Sequence, residues 1–313
     1  MKNVLRNTVL AALLFVTIIP LSAQKELVMS QYMHNRYALN TAFAGNREVL
    51  SLYGGYRQKW SGIDGAPGSM LFSMHSPLKN ENVAVGLEVY NQQYGVNKQT
   101  GFALSYTYRV KMSGNRKLAF SINGGGGFYN ANWSDVNTFD GNGGAGVLDD
   151  VFAVNESNFA PAVGFGTAWY SSKYFVGFSV PNFFYYDPYV EGGSNEFALN
   201  KANYLVTGGY LFTLSKRWHL QPSFMARINP EFDSTVDINA SIIYNNMLWL
   251  GTAYRTNSDL VAMVAFQISP QLRFSYSYDY GMGDIGSYND GTHEVAIQFD
   301  FGRKVHTPNL KFF

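Results

Sequence analysis

An all-β fold is what this 313-residue sequence predicts: a transmembrane antiparallel β-barrel of about fourteen strands, with short periplasmic turns and longer extracellular loops. Three observations predict it. From about residue 47 to residue 302, apolar and polar residues alternate in short runs, the period of a strand with two unlike faces. The links between runs are alternately short and long, as expected when every second hairpin lies on the same side of a membrane. The composition, with 14% charged and 16% aromatic residues and 31 glycines, suits aromatic girdles and glycine-containing turns. The clearest run is Leu272, Phe274, Tyr276, Tyr278 and Tyr280, with Arg273, Ser275, Ser277 and Asp279 between them.

The chain begins with residues that read as a signal peptide over 1–23. Lys2 and Arg6 form a positive start, Val9 to Ile19 an apolar core, and Pro20 to Ala23 a small-residue cleavage region. That core is shorter than the roughly 20 residues a spanning helix needs. Export through it, for a barrel, means the outer membrane of a Gram-negative cell. A net charge of +1 without a Lys/Arg stripe excludes a nucleic-acid footprint. The absence of cysteine excludes disulfides, a lipidated cysteine and cysteine-based metal or nucleophile chemistry.

The strands follow in order within a barrel of 47–302. The first pair, 47–57 and 69–77, is joined by the long link 58–68 and followed by the short turn Leu78–Glu81. Strands 82–91 and 99–111 flank the link 92–98 and end at Met112–Asn115. Strands 116–129 and 159–170 flank the longest link, 130–158, and end at Ser171–Ser172. Strands 173–180 and 202–214 flank 181–201, and 217–227 and 235–244 flank 228–234, with Ser215–Lys216 between the pairs. After Asn245–Asn246 come 247–255 and 259–268 around the exceptionally short outer link 256–258. Ser269–Pro270 then leads to 271–280 and 292–302 around 281–291.

Parity assigns the faces. Phe102, Leu104, Tyr106, Tyr108 and Val110 point one way, and Ala103, Ser105, Thr107 and Arg109 the other. An Arg or Lys against lipid at mid-membrane costs about 2–4 kcal/mol, so the polar set faces the lumen. Glu88, Arg109, Arg227, Arg255, Arg273, Asp279 and Asp300 belong to it. Their mixed signs favour a network that holds the barrel rigid over charges that line a pore or touch a ligand.

Signals for chemistry are weak. His75 and Ser76 are adjacent on a strand and therefore point to opposite faces, so they do not pair as base and nucleophile. The acidic residues of 130–158 lack the spacing of an EF-hand loop. No catalytic, cofactor-binding or metal-ligating residue is assigned. Two loops are better candidates for partner contact. One is the rim formed by Arg57 and Trp60 at the outer end of the first strand with Asp64 and Pro67 in the first outer loop; an Arg57–Asp64 ion pair with Pro67 fixing the turn is expected to shape it, either as a partner contact or as a loop stabiliser with no cargo contact. The other, 181–201, carries Phe183, Phe184, Tyr185, Tyr186 and Tyr189, a density of aromatics that suits either a partner surface or packing over the barrel mouth. Residues 24–46 read as a periplasmic N-terminal segment or a small plug, and 303–313 as a basic C-terminal tail.

Several segments resemble the PorP/SprF family of outer-membrane proteins of the type IX secretion system of Bacteroidota. They are Ser30-Gln31-Tyr32-Met33-His34-Asn35, Asn40 to Gly45, the block from Tyr56 to Pro67, Ser73 to Pro77, Gly86, Tyr94-Gly95, Thr292 to Val295 and Phe312-Phe313. Thr41 stands where the family usually has proline. The resemblance implies a non-enzymatic barrel that assists export or surface anchoring of a secreted cargo protein through its C-terminal sorting domain. Such cargo includes the large adhesins associated with gliding motility. The implied partners are outer-membrane lipids, type IX secretion components and the cargo; no cofactor is implied. The alternative reading is an outer-membrane transporter or channel for hydrophobic small molecules, with 24–45 as a short hatch.

Overall fold

Fourteen antiparallel strands close into a barrel in the computed structural model, which describes residues 29–132, 156–187, 194–231, 234–256, 259–283, 286 and 288–302. The expected signal peptide, the C-terminal tail, Tyr189 and the acidic stretch 133–155 fall outside the described residues.

Each predicted strand has its counterpart. They are β1 (Ser51–Gln58), β2 (Gly68–Pro77), β3 (Val83–Tyr94), β4 (Asn97–Met112), β5 (Arg116–Ala131), β6 (Glu156–Tyr170) and β7 (Tyr174–Val180). A small hairpin of β8 (Phe184–Asp187) and β9 (Ser194–Phe197) interrupts the series. The wall resumes with β10 (Tyr204–Tyr210), continued after Leu211 by β11 (Phe212–Thr213), which together form one barrel strand. It ends with β12 (Trp218–Ile228), β13 (Thr235–Tyr244), β14 (Leu248–Arg255), β15 (Asp259–Gln267), β16 (Leu272–Gly281) and β17 (Thr292–Asp300). Neighbours in sequence pair along the whole wall, and β1 pairs with β17 from Ser51↔Asp300 to Gln58↔His293 to close the ring. Closure leaves no edge strand in the barrel, as a bilayer requires.

The faces follow the predicted parity. Leu104 is 60% exposed and points to lipid, while Thr107 and Arg109 on the same strand are almost wholly buried in the lumen. Arg227, Arg255, Arg273, Asp279 and Asp300 also lie buried on the inner side. No helix among the described residues is long and apolar enough to cross a membrane.

Three local features differ from expectation. The first strand starts at Ser51, not 47, because Glu48 adopts a left-handed φ of 59° and Arg47 turns to Asp300. The link 92–98 shrinks to Gly95–Val96, since β3 and β4 extend as a long hairpin. Polar residues such as Gln92 and Gln99 hid that extension, although both keep the inward parity and are buried. The loop 181–201 contains the β8–β9 hairpin, which the sequence pattern did not reveal.

The lumen is occupied. Residues 29–46 run through it as turns, one helical turn (Arg36–Leu39) and a 3₁₀ turn (Thr41–Phe43). Their apolar side chains complete the interior: Phe43 packs with Ala119, Phe175 and Trp249, and Tyr32 and Met33 with Met225 and Met263. At Gly86 a Cβ would overlap the Tyr37 hydroxyl, so glycine lets this ring lie against the wall.

Candidate functional site

Arg57 is the penultimate residue of β1, and strand parity turns it inward at the long-loop end of the barrel. Its guanidinium bonds the Asp279 carboxylate at 2.7 Å and Glu294 at 3.1 Å, and also donates to the Ser30 hydroxyl. Across the lumen Arg255 pairs with Asp237 at 3.0 Å and Asp259 at 3.2 Å, and its second amine reaches Ser30 Oγ at 3.4 Å. Ser30 is thus the hub of a cluster of two guanidinium groups and four carboxylates.

Glu294 fixes the backbone of the inner segment directly. Its carboxylate accepts the Ser30 N–H at 2.7 Å and the Gln31 N–H at 3.1 Å, while Ser30 Oγ donates to Asp279 at 2.5 Å. Water reaches almost none of these groups: Glu294 is 0% and Asp279 1% exposed. Charges buried in this way hold only while paired, and removing one partner costs several kcal/mol.

The segment then descends along the wall. Asn35 donates to Ser73 Oγ at 2.9 Å, the Tyr37 hydroxyl meets Ser105 Oγ at 2.9 Å, and Asn40 reaches the carbonyls of Thr167 and Phe178. At the short-turn end the Gly45 N–H donates to His75 Nδ1 at 3.1 Å, and Arg47 grips Asp300 with a bond of 2.7 Å from Nη2. Thr41 bonds the Ser121 hydroxyl at 2.8 Å. A polar cavity of about 20 Å³, bounded by His34, Arg36, Tyr53 and Ser73 among others, has room for about one water.

The expected Arg57–Asp64 ion pair is not formed. Asp64 is exposed in the loop, whereas Arg57 points into the lumen and is committed to Asp279 and Glu294. The loop is shaped by backbone contacts instead. The Lys59 N–H donates to the Pro67 carbonyl at 2.8 Å, Ser61 exchanges two 2.8 Å bonds with Gly291 and Asp290, and Gly95 donates to the Gly65 carbonyl at 3.1 Å. Trp60 sits at a left-handed φ of 51°, its N–H on Thr292 Oγ1 at 3.3 Å. The Lys59 ammonium lies 4.2 Å above its ring centroid. Burial, aided by the nearby Arg57 charge, pulls that ammonium below the ordinary lysine range. The loop therefore ties β1–β2 to both neighbouring loops.

The aromatic loop packs on the barrel's own tall wall. Tyr186 stacks on Tyr129 with centroids 4.4 Å apart, and Phe183 and Phe184 both meet Phe197 at 5.8 Å. The Phe183 N–H bonds the Val163 carbonyl at 2.8 Å, so the hairpin docks beside β6 where β7 no longer accompanies it. Lys201 caps the Tyr185 ring at 4.5 Å.

The two loops lie at the same end but remain separate groups. Sequence reasoning placed Arg255 and Asp279 in the lumen, yet missed Asp237, Asp259 and the convergence on Ser30. The inward parity of Glu294 was a usable signal; strands more than 200 residues apart gave none. Among the described residues no group of three His, Asp or Glu is placed to hold a metal ion.

A family model described as type IX secretion system membrane protein PorP/SprF matches residues 21–299. No curated protein matches the chain. Solved structures similar to it include the outer membrane protein Omp33 of Acinetobacter baumannii, at 7% identity and TM-score 0.44, covering 81% of this chain and 98% of that one. A Pseudomonas aeruginosa FadL homologue aligns at 12% identity and TM-score 0.46, over 81% of this chain and 90% of that one. Outer membrane phospholipase A from Escherichia coli aligns at 10% identity and TM-score 0.37, over 80% and 92% respectively.

Proposed function

Because the chain belongs to the PorP/SprF family of type IX secretion system membrane proteins, we propose that this outer-membrane barrel is a non-enzymatic mount that assists export or surface anchoring of a secreted cargo protein. The cargo's C-terminal sorting domain meets the outer rim, and the secretion machinery meets the periplasmic turns. One observation carries the reading: residues 29–46 fill the lumen, and the chain is fastened at both ends of this segment by buried charge, Ser30 and Gln31 to Glu294 and the following Arg47 to Asp300. On this reading the segment is a plug, and the function lies on the rims. A transporter of hydrophobic molecules would need an open apolar route through the barrel, whereas the apolar parts of the inner wall here are packed against residues 29–46 and the long-loop end holds a cluster of paired charges.

The test is deletion of the gene followed by protease shaving and mass spectrometry of intact cells. Loss of one large secreted protein from the surface, restored by the full-length chain, is the expected result. Normal display of every such protein would overturn the proposal.

A further inference from the structure

On the lipid-facing side of the barrel, Gly54 leaves a gap in the apolar belt. It points outward between Phe72 of β2 and Ile297 of β17, and a Cβ built on it meets nothing within 4 Å. The depression continues past Val89 into an open groove of about 570 Å³ with almost wholly apolar walls.

The groove has a polar end. On the same outward face of β3 and β4, Asn91 bonds Thr100 at 2.7 Å, and both line the groove where it approaches the long-loop side. Two residues further along β4, about 7 Å on, the exposed Lys98 stands on the same face. Apolar groove, neutral hydrogen-bonding pair and cation therefore follow one another in the order in which an acylated, phosphate-bearing lipid of the outer leaflet presents its acyl chain, ester and phosphate.

We propose that this groove binds one lipid A of the outer leaflet, with one of its acyl chains over Gly54, the ester of that chain beside Asn91 and Thr100, and a phosphate at Lys98. The groove is continuous with the belt that faces the bilayer, so its occupant enters from the membrane and not from the lumen. No strand separation is needed: the β1–β2 and β1–β17 ladders run unbroken behind it.

The test is native mass spectrometry of the full chain in neutral detergent, titrated with phosphorylated lipid A or with dephosphorylated lipid A. One saturable adduct of the phosphorylated lipid is expected. Gly54→Leu should weaken it at least tenfold and Gly54→Ala less. Gly124→Leu, at the other lipid-facing glycine with open space above it, should leave it unchanged. Lys98→Ala should weaken the phosphorylated lipid and spare the dephosphorylated one. Folding of each variant is checked by heat-modifiable mobility on gels. The proposal is overturned if the wild type shows no saturable adduct or if Gly54→Leu binds like the wild type. It is also overturned if the species lost in Gly54→Leu is a dimer, which would make a second copy the occupant.

Discussion

Arg57 sits between two carboxylates and the Ser30 hydroxyl, screened from water on every side. Arg57→Met leaves Glu294 without its cation and Asp279 with only Arg255 at 3.9 Å, and a loss of about 3–5 kcal/mol is expected in urea unfolding from liposomes. Asp64→Ala, in an exposed loop position, should stay within about 0.5 kcal/mol of wild type in the same assay. Equal losses for both would restore the rim ion pair that the geometry excludes. Gly86→Val is a third residue-scale test. Its side chain would overlap the Tyr37 ring, so a cost of about 1–3 kcal/mol is expected. Arg57 was legible as important but not in its role, because its partners lie 222 and 237 residues away in sequence. Parity fixes the face on which a side chain lies; it does not say what waits across a barrel.

At the scale of elements, a strand is readable because its two faces touch different media. All fourteen barrel strands were legible for that reason, and so was most of the sorting of short turns from long loops; the expected long link 92–98 is instead the two-residue turn Gly95–Val96. Where both faces are polar the signal fades, as at the extended tips of β3 and β4, whose Gln92 and Gln99 face inward above the belt. The β8–β9 hairpin was hidden for another reason. Its aromatics pack against the tall wall of β5 and β6, a tertiary contact with no period. The parity itself can be tested. Leu104→Arg places a charge in lipid and should cost about 2–4 kcal/mol near mid-membrane, measured by unfolding from bilayers. A neutral outcome would mean that the assigned faces are exchanged.

The whole molecule is a tube threaded by its own N-terminal segment. Ser30 lies at the long-loop end and Gly45 at the short-turn end, so the segment descends through the lumen before the first strand begins. Because the sequence contains no cysteine, the orientation can be read with single introduced thiols and a membrane-impermeant maleimide. Asp64→Cys should label on intact cells and Asn80→Cys only after the outer membrane is permeabilised; the reverse would invert the barrel. The filled lumen was only half legible in the sequence. The polar motif from Ser30 to Gly45 marked the segment, but its path depends on contacts with six or more strands that no local pattern encodes. A closed mount with its function on its rims differs from an open pore in conductance. Full-length protein inserted into a planar bilayer should show a closed baseline, and deletion of residues 24–46 should open a steady current. A constant open level from the full-length protein would contradict a closed mount.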